Sequence, residues 1–391
     1  AFPSYFDLDR VVPTWWPSRT SLSPRVSEME MRFGSVVDEE GEQVSPDPWC
    51  SEPGVGCADA CCADPCCPGC CPGFYVFGEY LFWRAHRSCR PHVGLTTTGT
   101  FDPNENTVVE YGGVDYDWDS GVRVGFGHTM ASCWDVAFTY TYFSNEGDAF
   151  TDDEDARLIP LAAHPGWIAA SSSLSSSPGV EEASAALGLD YHTFDIELGR
   201  QFQFCCSLTG RAFAGLRATQ IDQESYYFYA NVDSGTTIIN AYDEVSWSSE
   251  MHGFGFRGGG SLNWNICGSC HWSLFSRTAI SLLLSEFEHQ RTEVILDDAS
   301  GLRGRLIATG ECHDIVPVME LALGIRYDHG CCWLAAGYEF STWFNMVNDI
   351  RFATDTNQDN PIAQESETQV IAIDRGNLSF DGLFVTAGVD F

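Results

Sequence analysis

The chain has 391 residues, enough for one large domain or two of ordinary size. It carries 55 acidic residues against 20 basic residues, all of them Arg, and its formal net charge is −35. This balance argues against nucleic-acid binding, because no basic stripe can offset repulsion from phosphate. No apolar run approaches the roughly 18–20 residues that a membrane helix needs, so any crossing of a membrane must use strands.

Residues 1–49 form an acidic, Pro-containing arm without strand-length alternation. Two interpretations remain open for this arm: a loosely ordered extension, or a segment docked on or inside the next domain.

Residues 50–73 are rich in cysteine. Eight of the 17 cysteines lie here among Pro, Gly, Ala and Asp, in adjacent pairs such as Cys61-Cys62 and Cys66-Cys67. We predict a disulfide knot in an oxidising compartment, with undetermined connectivity. Zinc is the alternative, but adjacent cysteine pairs suit one tetrahedral ion poorly and no nearby His completes a finger spacing.

From residue 74 onward, strand-like segments alternate with short turns and long loops. Short turns at one end and long loops at the other are typical of an outer-membrane barrel, with periplasmic turns and outer loops. We therefore predict an all-β fold, a transmembrane antiparallel β-barrel of about ten strands with a Cys-rich N-terminal extension. The predicted strands are 74–84, 120–129, 134–143, 191–204, 207–219, 247–266, 272–286, 315–327, 333–344 and 378–391.

The two faces of each strand differ in polarity. Trp134, Val136 and Phe138 share one face of their strand, and Asp135 lies on the other. A charged residue that faces lipid at mid-membrane costs about 2–4 kcal/mol, so the charged face must be the lumen. Six Arg and six carboxylates then line the interior, where they either create a transverse field in an open pore or block it with ion pairs. The predicted pore-lining residues are Glu79, Arg123, Asp135, Asp195, Glu197, Arg211, Arg217, Arg257, Arg277, Glu320, Arg326 and Glu339.

A soluble β-sandwich shows the same alternation. The 13 % aromatic content, the Trp and Tyr near strand ends and the sorted loop lengths favour the membrane barrel. A lipocalin-like soluble barrel would carry its polar residues outside.

Three aromatic segments carry a family resemblance: Gly73–Trp83, Gly330–Phe340 and Gly382–Phe391. With them, residues 74–391 resemble the pore-forming outer-membrane proteins first grouped around Legionella and also abundant in planctomycete bacteria. The resemblance implies a barrel in the bacterial outer membrane, in contact with its lipid, with porin-like behaviour.

The barrel topology sorts the remaining cysteines. Only Cys89 and Cys312 fall on the loop side, and we predict a disulfide between them. The others lie at turns, on the side of the Cys-rich segment, where bonds between that segment and the turns are a second hypothesis. Their number is odd, so one thiol is free or bridges to another molecule. The odd number of cysteines predicts that the chain forms a homo-oligomer, held together in part by disulfides.

Sites for chemistry are sparse. Asp355, Asn357 and Asp359 alternate as in the start of a calcium loop, but the following Gly and the Glu at the twelfth position are missing. A solvated acidic loop is the competing interpretation. Calcium is thus the candidate ion, and no other cofactor is predicted. We do not expect an enzyme, since the histidines are scattered and no Gly-x-Ser-x-Gly elbow is present.

The sequence therefore predicts a porin-like pore for passive passage of small solutes or ions, in residues 74–391. The alternative is a structural outer-membrane protein, in which a narrow or closed barrel supports a disulfide-linked assembly.

Overall fold

The structure is a computed structural model. It describes residues 73–88, 92–98, 108–130, 132–152, 158–160, 162, 179–205, 207–233, 238–266, 271–297, 301–355 and 367–391. The predicted acidic arm and the Cys-rich segment lie outside these residues, except for Gly73. No helix in the described part of the chain is long and apolar enough to cross a membrane.

Thirteen strands account for almost all of the described chain. Their bounds are β1 Gly73–Arg87, β2 His92–Thr98, β3 Val108–Gly113, β4 Trp118–Thr129, β5 Trp134–Asp152, β6 Leu158–Pro160, β7 Gly179–Cys205, β8 Leu208–Asp233, β9 Ile238–Asn265, β10 Trp272–Asp297, β11 Gly301–His329, β12 Cys332–Asp355 and β13 Glu367–Asp390.

Ten of these strands close into a ring. The order around it is β1, β4, β5, β7, β8, β9, β10, β11, β12, β13, and every neighbouring pair is antiparallel. β13 returns to β1, where the register runs from Tyr75↔Asp390 to Arg87↔Leu378. Closure leaves no free edge in the ring, which a sheet in hydrocarbon requires. The predicted ten-stranded antiparallel barrel is confirmed.

The remaining three strands form a small extension of the sheet. β2 and β3 make a hairpin, β2 pairs with β6, and β6 pairs with β7 through Leu158↔Val180. β2 and β3 lie in the segment 85–118 and β6 lies in the segment 145–189, and the sequence predicts both segments as loops. The chain returns from it to the ring at Trp118, the first residue of β4.

The strands are longer than predicted at one end of the ring. The sequence predicts a loop at 287–312, between the strands 272–286 and 315–327, yet β10 and β11 remain paired from Trp272↔Tyr327 to Asp297↔Gly301. Alternation was hidden there because both faces are polar: Arg291 and Glu293 point inward while Gln290 and Thr292 point outward. We call this the loop end; the turn end carries the connections at 130–133, 206–207, 266–271 and 330–331.

Glycines bring the strands close together in β9. A Cβ on Gly255 would lie 1.9 Å from the carbonyl oxygen of Leu282 on β10. A Cβ on Gly259 would lie 2.8 Å from the ring of Phe213 on β8. Only glycine fits such contacts.

Candidate functional site in the barrel interior

The twelve predicted pore-lining residues all point into the ring. On β12, Glu339 is 9 % exposed, whereas its outward neighbours Tyr338 and Phe340 are 45 % and 39 % exposed. Eleven of the twelve join one band of ion pairs near the turn end, which we call the ionic layer. Arg326 stands apart from it: it pairs with Asp328 at 2.7 Å and lies over the Trp333 ring.

One group in the ionic layer is centred on Arg123. Its guanidinium contacts Glu79 and donates to Glu339 at 3.0 Å. Arg277 reaches the other oxygen of Glu339 at 3.1 Å, and Thr386 donates to Glu79. β4 and β12 are not neighbours in the ring, so the Arg123–Glu339 pair spans the interior.

A second group links three arginines to four carboxylates. Arg211 pairs with Asp135 at 2.6 Å and with Glu197 at 2.9 Å. Arg217 pairs with Asp195 at 2.7 Å and with Glu320 at 3.0 Å. Arg257 contacts Glu197 at 3.0 Å and also reaches Glu320.

These contacts compensate the buried charges of the ionic layer. Removing a charge from water costs several kcal/mol, which only close partners and satisfied hydrogen bonds offset. Every carboxylate in the layer has at least one Arg partner. The layer is therefore stable as a set of ion pairs.

Next to the ionic layer, toward the loop end, the interior is aromatic. The aromatic layer consists of Trp83, Phe143, Tyr191, Trp343 and Phe380, each at most 4 % exposed. Their rings contact one another in tilted and T-shaped pairs, such as Tyr191 and Phe380 at 4.9 Å between centroids. These geometries are favourable for aromatic pairs and add to the gain from burial.

The aromatic layer spans the full width of the ring. Tyr191 lies on β7 and Trp343 on β12, five strands away in either direction, yet their ring centroids are 5.6 Å apart. Farther toward the loop end, Arg87 on β1 lies 5.3 Å from the Trp247 ring on the opposite strand, β9. Side chains from opposite walls thus meet at two levels of the interior.

At the loop end lies a third group, Asp243, Arg291 and Glu293, which we call the loop-end cluster. All three are at least 92 % buried, and Arg291 approaches Glu293 at 3.7 Å. Burial, followed by repulsion from Glu293, raises the pKa of Asp243 to about 8, although Arg291 opposes the shift. One Arg serves two carboxylates here, so the neutral acid is favoured.

The other predicted sites are only partly described. Cys312 is a free thiol in the structure, with Arg375 Nη2 3.7 Å from its sulfur. Cys89 lies outside the described residues, so their disulfide stays a prediction. Asp355 ends β12, while its side chain and all of Asn357 and Asp359 lie outside the described part. The calcium site also stays a prediction.

The family model described as the Legionella pneumophila major outer membrane protein precursor matches residues 67–391. The chain belongs to this family. As a member, it is a barrel of the bacterial outer membrane, and the apolar exterior of the ring faces lipid. No curated protein matches the sequence significantly.

Solved structures similar to this family member are outer-membrane proteins. The protease OmpT of Escherichia coli is 9 % identical, with a TM-score of 0.41, over 82 % of this chain and 96 % of that one. The toluene transporter TodX of P. putida is 10 % identical, with a TM-score of 0.27, over 82 % and 90 %. A Pseudomonas aeruginosa FadL homologue is 10 % identical, with a TM-score of 0.26, over the same shares. These likenesses carry no functional argument.

Proposed function

We propose that this protein is a structural outer-membrane barrel with a sealed bore. The observation that carries the proposal is the contact between Tyr191 and Trp343, whose rings meet from diametrically opposite strands. A ten-stranded ring is narrow, since eight strands leave an interior that side chains just fill. Aromatic rings from two walls are then sufficient to close it. No catalytic step is part of the proposal.

The ionic layer supports the same proposal. An open porin keeps its charged lining solvated, whereas Glu79, Arg123, Asp195 and Arg217 are each at most 9 % exposed. Charges that are buried and paired with one another provide neither a hydrated path nor mobile counter-ions.

Exposed thiols support an assembly role. Cys331 lies in the turn between β11 and β12, Cys332 is the first residue of β12, and both are exposed free thiols. Such thiols in an oxidising compartment form disulfides readily, and they offer a route to the covalent oligomer predicted from the odd number of cysteines.

A second candidate is a porin-like pore that passes ions when the aromatic layer rearranges. It is favoured by the partial exposure of the ionic layer: the side chains of Arg277 and Arg211 are 36 % and 20 % exposed. Water therefore reaches this layer, and the aromatic layer is the barrier beyond it.

Planar-bilayer conductance of the purified, full-length protein separates the two. We expect wild type to be silent, and the double variant Y191A/W343A to show conductance steps because both rings of the cross-lumen contact are removed. The control is F126A/F138A, which deletes a ring pair of similar spacing, 4.9 Å, from the barrel exterior. It should remain silent. Regular, cation-biased steps from wild type would reject the sealed barrel and support the porin.

A further inference from the structure

Three rows of exterior residues run in register across β7, β8, β9, β10 and β11. The first row is apolar, the second alternates His with Gln or Glu, and the third is wholly acidic. Each residue faces its row neighbour on the adjoining strand. The first row is Phe194, Ala218, Phe254, Leu284 and Ile315; the second is His192, Gln220, His252, Glu286 and His313; the third is Asp190, Asp222, Glu250, Glu288 and Glu311.

This arrangement is unfavourable for an isolated protein. Like charges directly opposite each other on neighbouring strands destabilise a sheet, and the acidic row has four such pairs in succession. Neither of the two polar rows contains an Arg or a Lys. Compensation by a cation from outside the chain fits this pattern.

One part of the two rows has the geometry of a metal site. The ligand atoms of Glu286, Glu311 and His313 all lie within 4.8 Å of one another. His313 Nε2 lies 3.7 Å from a Glu286 oxygen and 3.9 Å from a Glu311 oxygen. These separations are too long for hydrogen bonds. Two ligands that share an ion at about 2.1 Å stand roughly 3–3.5 Å apart, so small side-chain movements suffice.

The surroundings of Glu286, Glu311 and His313 are also compatible with metal binding. Glu286 faces His252 on β9, and Glu311 faces Glu288 on β10. The side chains of Glu286, Glu311 and His313 are 45 %, 59 % and 70 % exposed. An ion held there keeps open positions for water and is reached from the aqueous side, just beyond Leu284 and Ile315.

We propose that Glu286, Glu311 and His313 bind a divalent transition-metal ion, for which Zn²⁺ is the probe. One imidazole with two carboxylates suits zinc, whereas calcium prefers oxygen ligands alone. The site lies on the lipid-proximal exterior, and it is separate from both the interior and the calcium candidate at Asp355. It stands or falls independently of the sealed bore.

The test is calorimetric titration of the full-length protein with ZnCl₂ in detergent at pH 7. Free thiols are alkylated first, because cysteines bind zinc. Wild type should show saturable binding. H313A and E286Q should each weaken zinc affinity on the order of tenfold or more, because removing even a residue that only hydrogen-bonds to a metal ligand lowers metal affinity by that factor.

The matched control is H329A, which removes an exposed imidazole from the turn end of the same strand, β11. It should bind zinc as wild type does. Tryptophan fluorescence verifies that each variant is folded. Absence of saturable zinc binding to wild type, equal binding by H313A, or equal loss in H329A would each overturn the proposal.

Discussion

The ionic layer and the loop-end cluster are two groups of buried charged residues in the interior of the same barrel, and they differ in the ratio of arginines to carboxylates. In the ionic layer, five arginines face six carboxylates, and each carboxylate has an Arg partner. In the loop-end cluster, Arg291 is shared by Asp243 and Glu293, and the pKa of Asp243 rises to about 8.

The two groups differ in the number of arginines that stand beside each buried carboxylate. Depth of burial does not separate the two groups, because Asp195 is 6 % exposed and Asp243 is 8 % exposed. The number of arginines within reach separates them. A single substitution should therefore have different effects in each group.

The largest effect is expected from R217A in the ionic layer. Removing this guanidinium leaves Asp195 and Glu320 with fewer partners in a buried site, and loss of one partner from a buried pair costs about 3–5 kcal/mol. The free energy of unfolding, measured by urea titration in lipid vesicles, should fall by that amount. R305A, at an exposed residue of β11, is the control and should change it little. A loss below about 1 kcal/mol, the range of surface pairs, would mean that the layer is solvated.

The loop-end cluster should respond to pH. The folded protein holds the Asp243 proton up to about pH 8, whereas the ordinary pKa is 3.8. Folded protein thus binds more protons, so its free energy of unfolding falls as pH rises between these values, by up to about 1.4 kcal/mol per pH unit.

D243N should remove that slope. The variant should match wild type near pH 4 and exceed its thermal stability at pH 8. E244Q, at the adjacent outward residue of β9, should keep the wild-type slope. Parallel pH profiles for D243N and wild type would show that Asp243 is ionised in the folded protein.

The smallest effect is expected in the aromatic layer between the two charged groups. F380L keeps the site apolar but loses the ring contacts to Trp83, Phe143 and Tyr191, at a cost of about 1 kcal/mol. Urea titration measures this loss in the free energy of unfolding. The control is F256L, a Phe→Leu change at a residue that is 76 % exposed. Equal changes in both variants would argue against a packed seal.

The sequence predicts the ring and its charged lining because both follow from period two. Glu79 and Arg123 are inward by alternation, and they meet in the structure. The aromatic layer was missed although the signal was present: Leu81 and Trp83 continue the inward register of Glu79. Because Leu81 and Trp83 are apolar, the sequence does not show that they point inward: aromatic residues near strand ends are also typical of the lipid interface.

The loop-end cluster and the exterior His and acidic rows could not be predicted in the same way. Asp243 and Glu293 lie in segments that the sequence predicts as loops, because polar residues occupy both faces of these strands. Glu286 and His313 are 27 residues apart in sequence, and only the register of β10 and β11 brings them opposite each other. Beyond the apolar part of the exterior that faces lipid, strand pairing depends on contacts between strands. The sequence of one strand alone does not reveal these contacts.

Closure by β13 has a consequence for biogenesis. β1 is synthesised before the other strands of the ring, whereas its neighbour β13 is synthesised after all of them, and Phe391 donates its backbone N–H to the carbonyl of Phe74. Until that strand is in place, two rows of unpaired peptide groups face either hydrocarbon or another polypeptide. Insertion into the bilayer and completion of the wall must therefore be coupled, and a chain truncated before β13 would be exposed to strand addition from its neighbours.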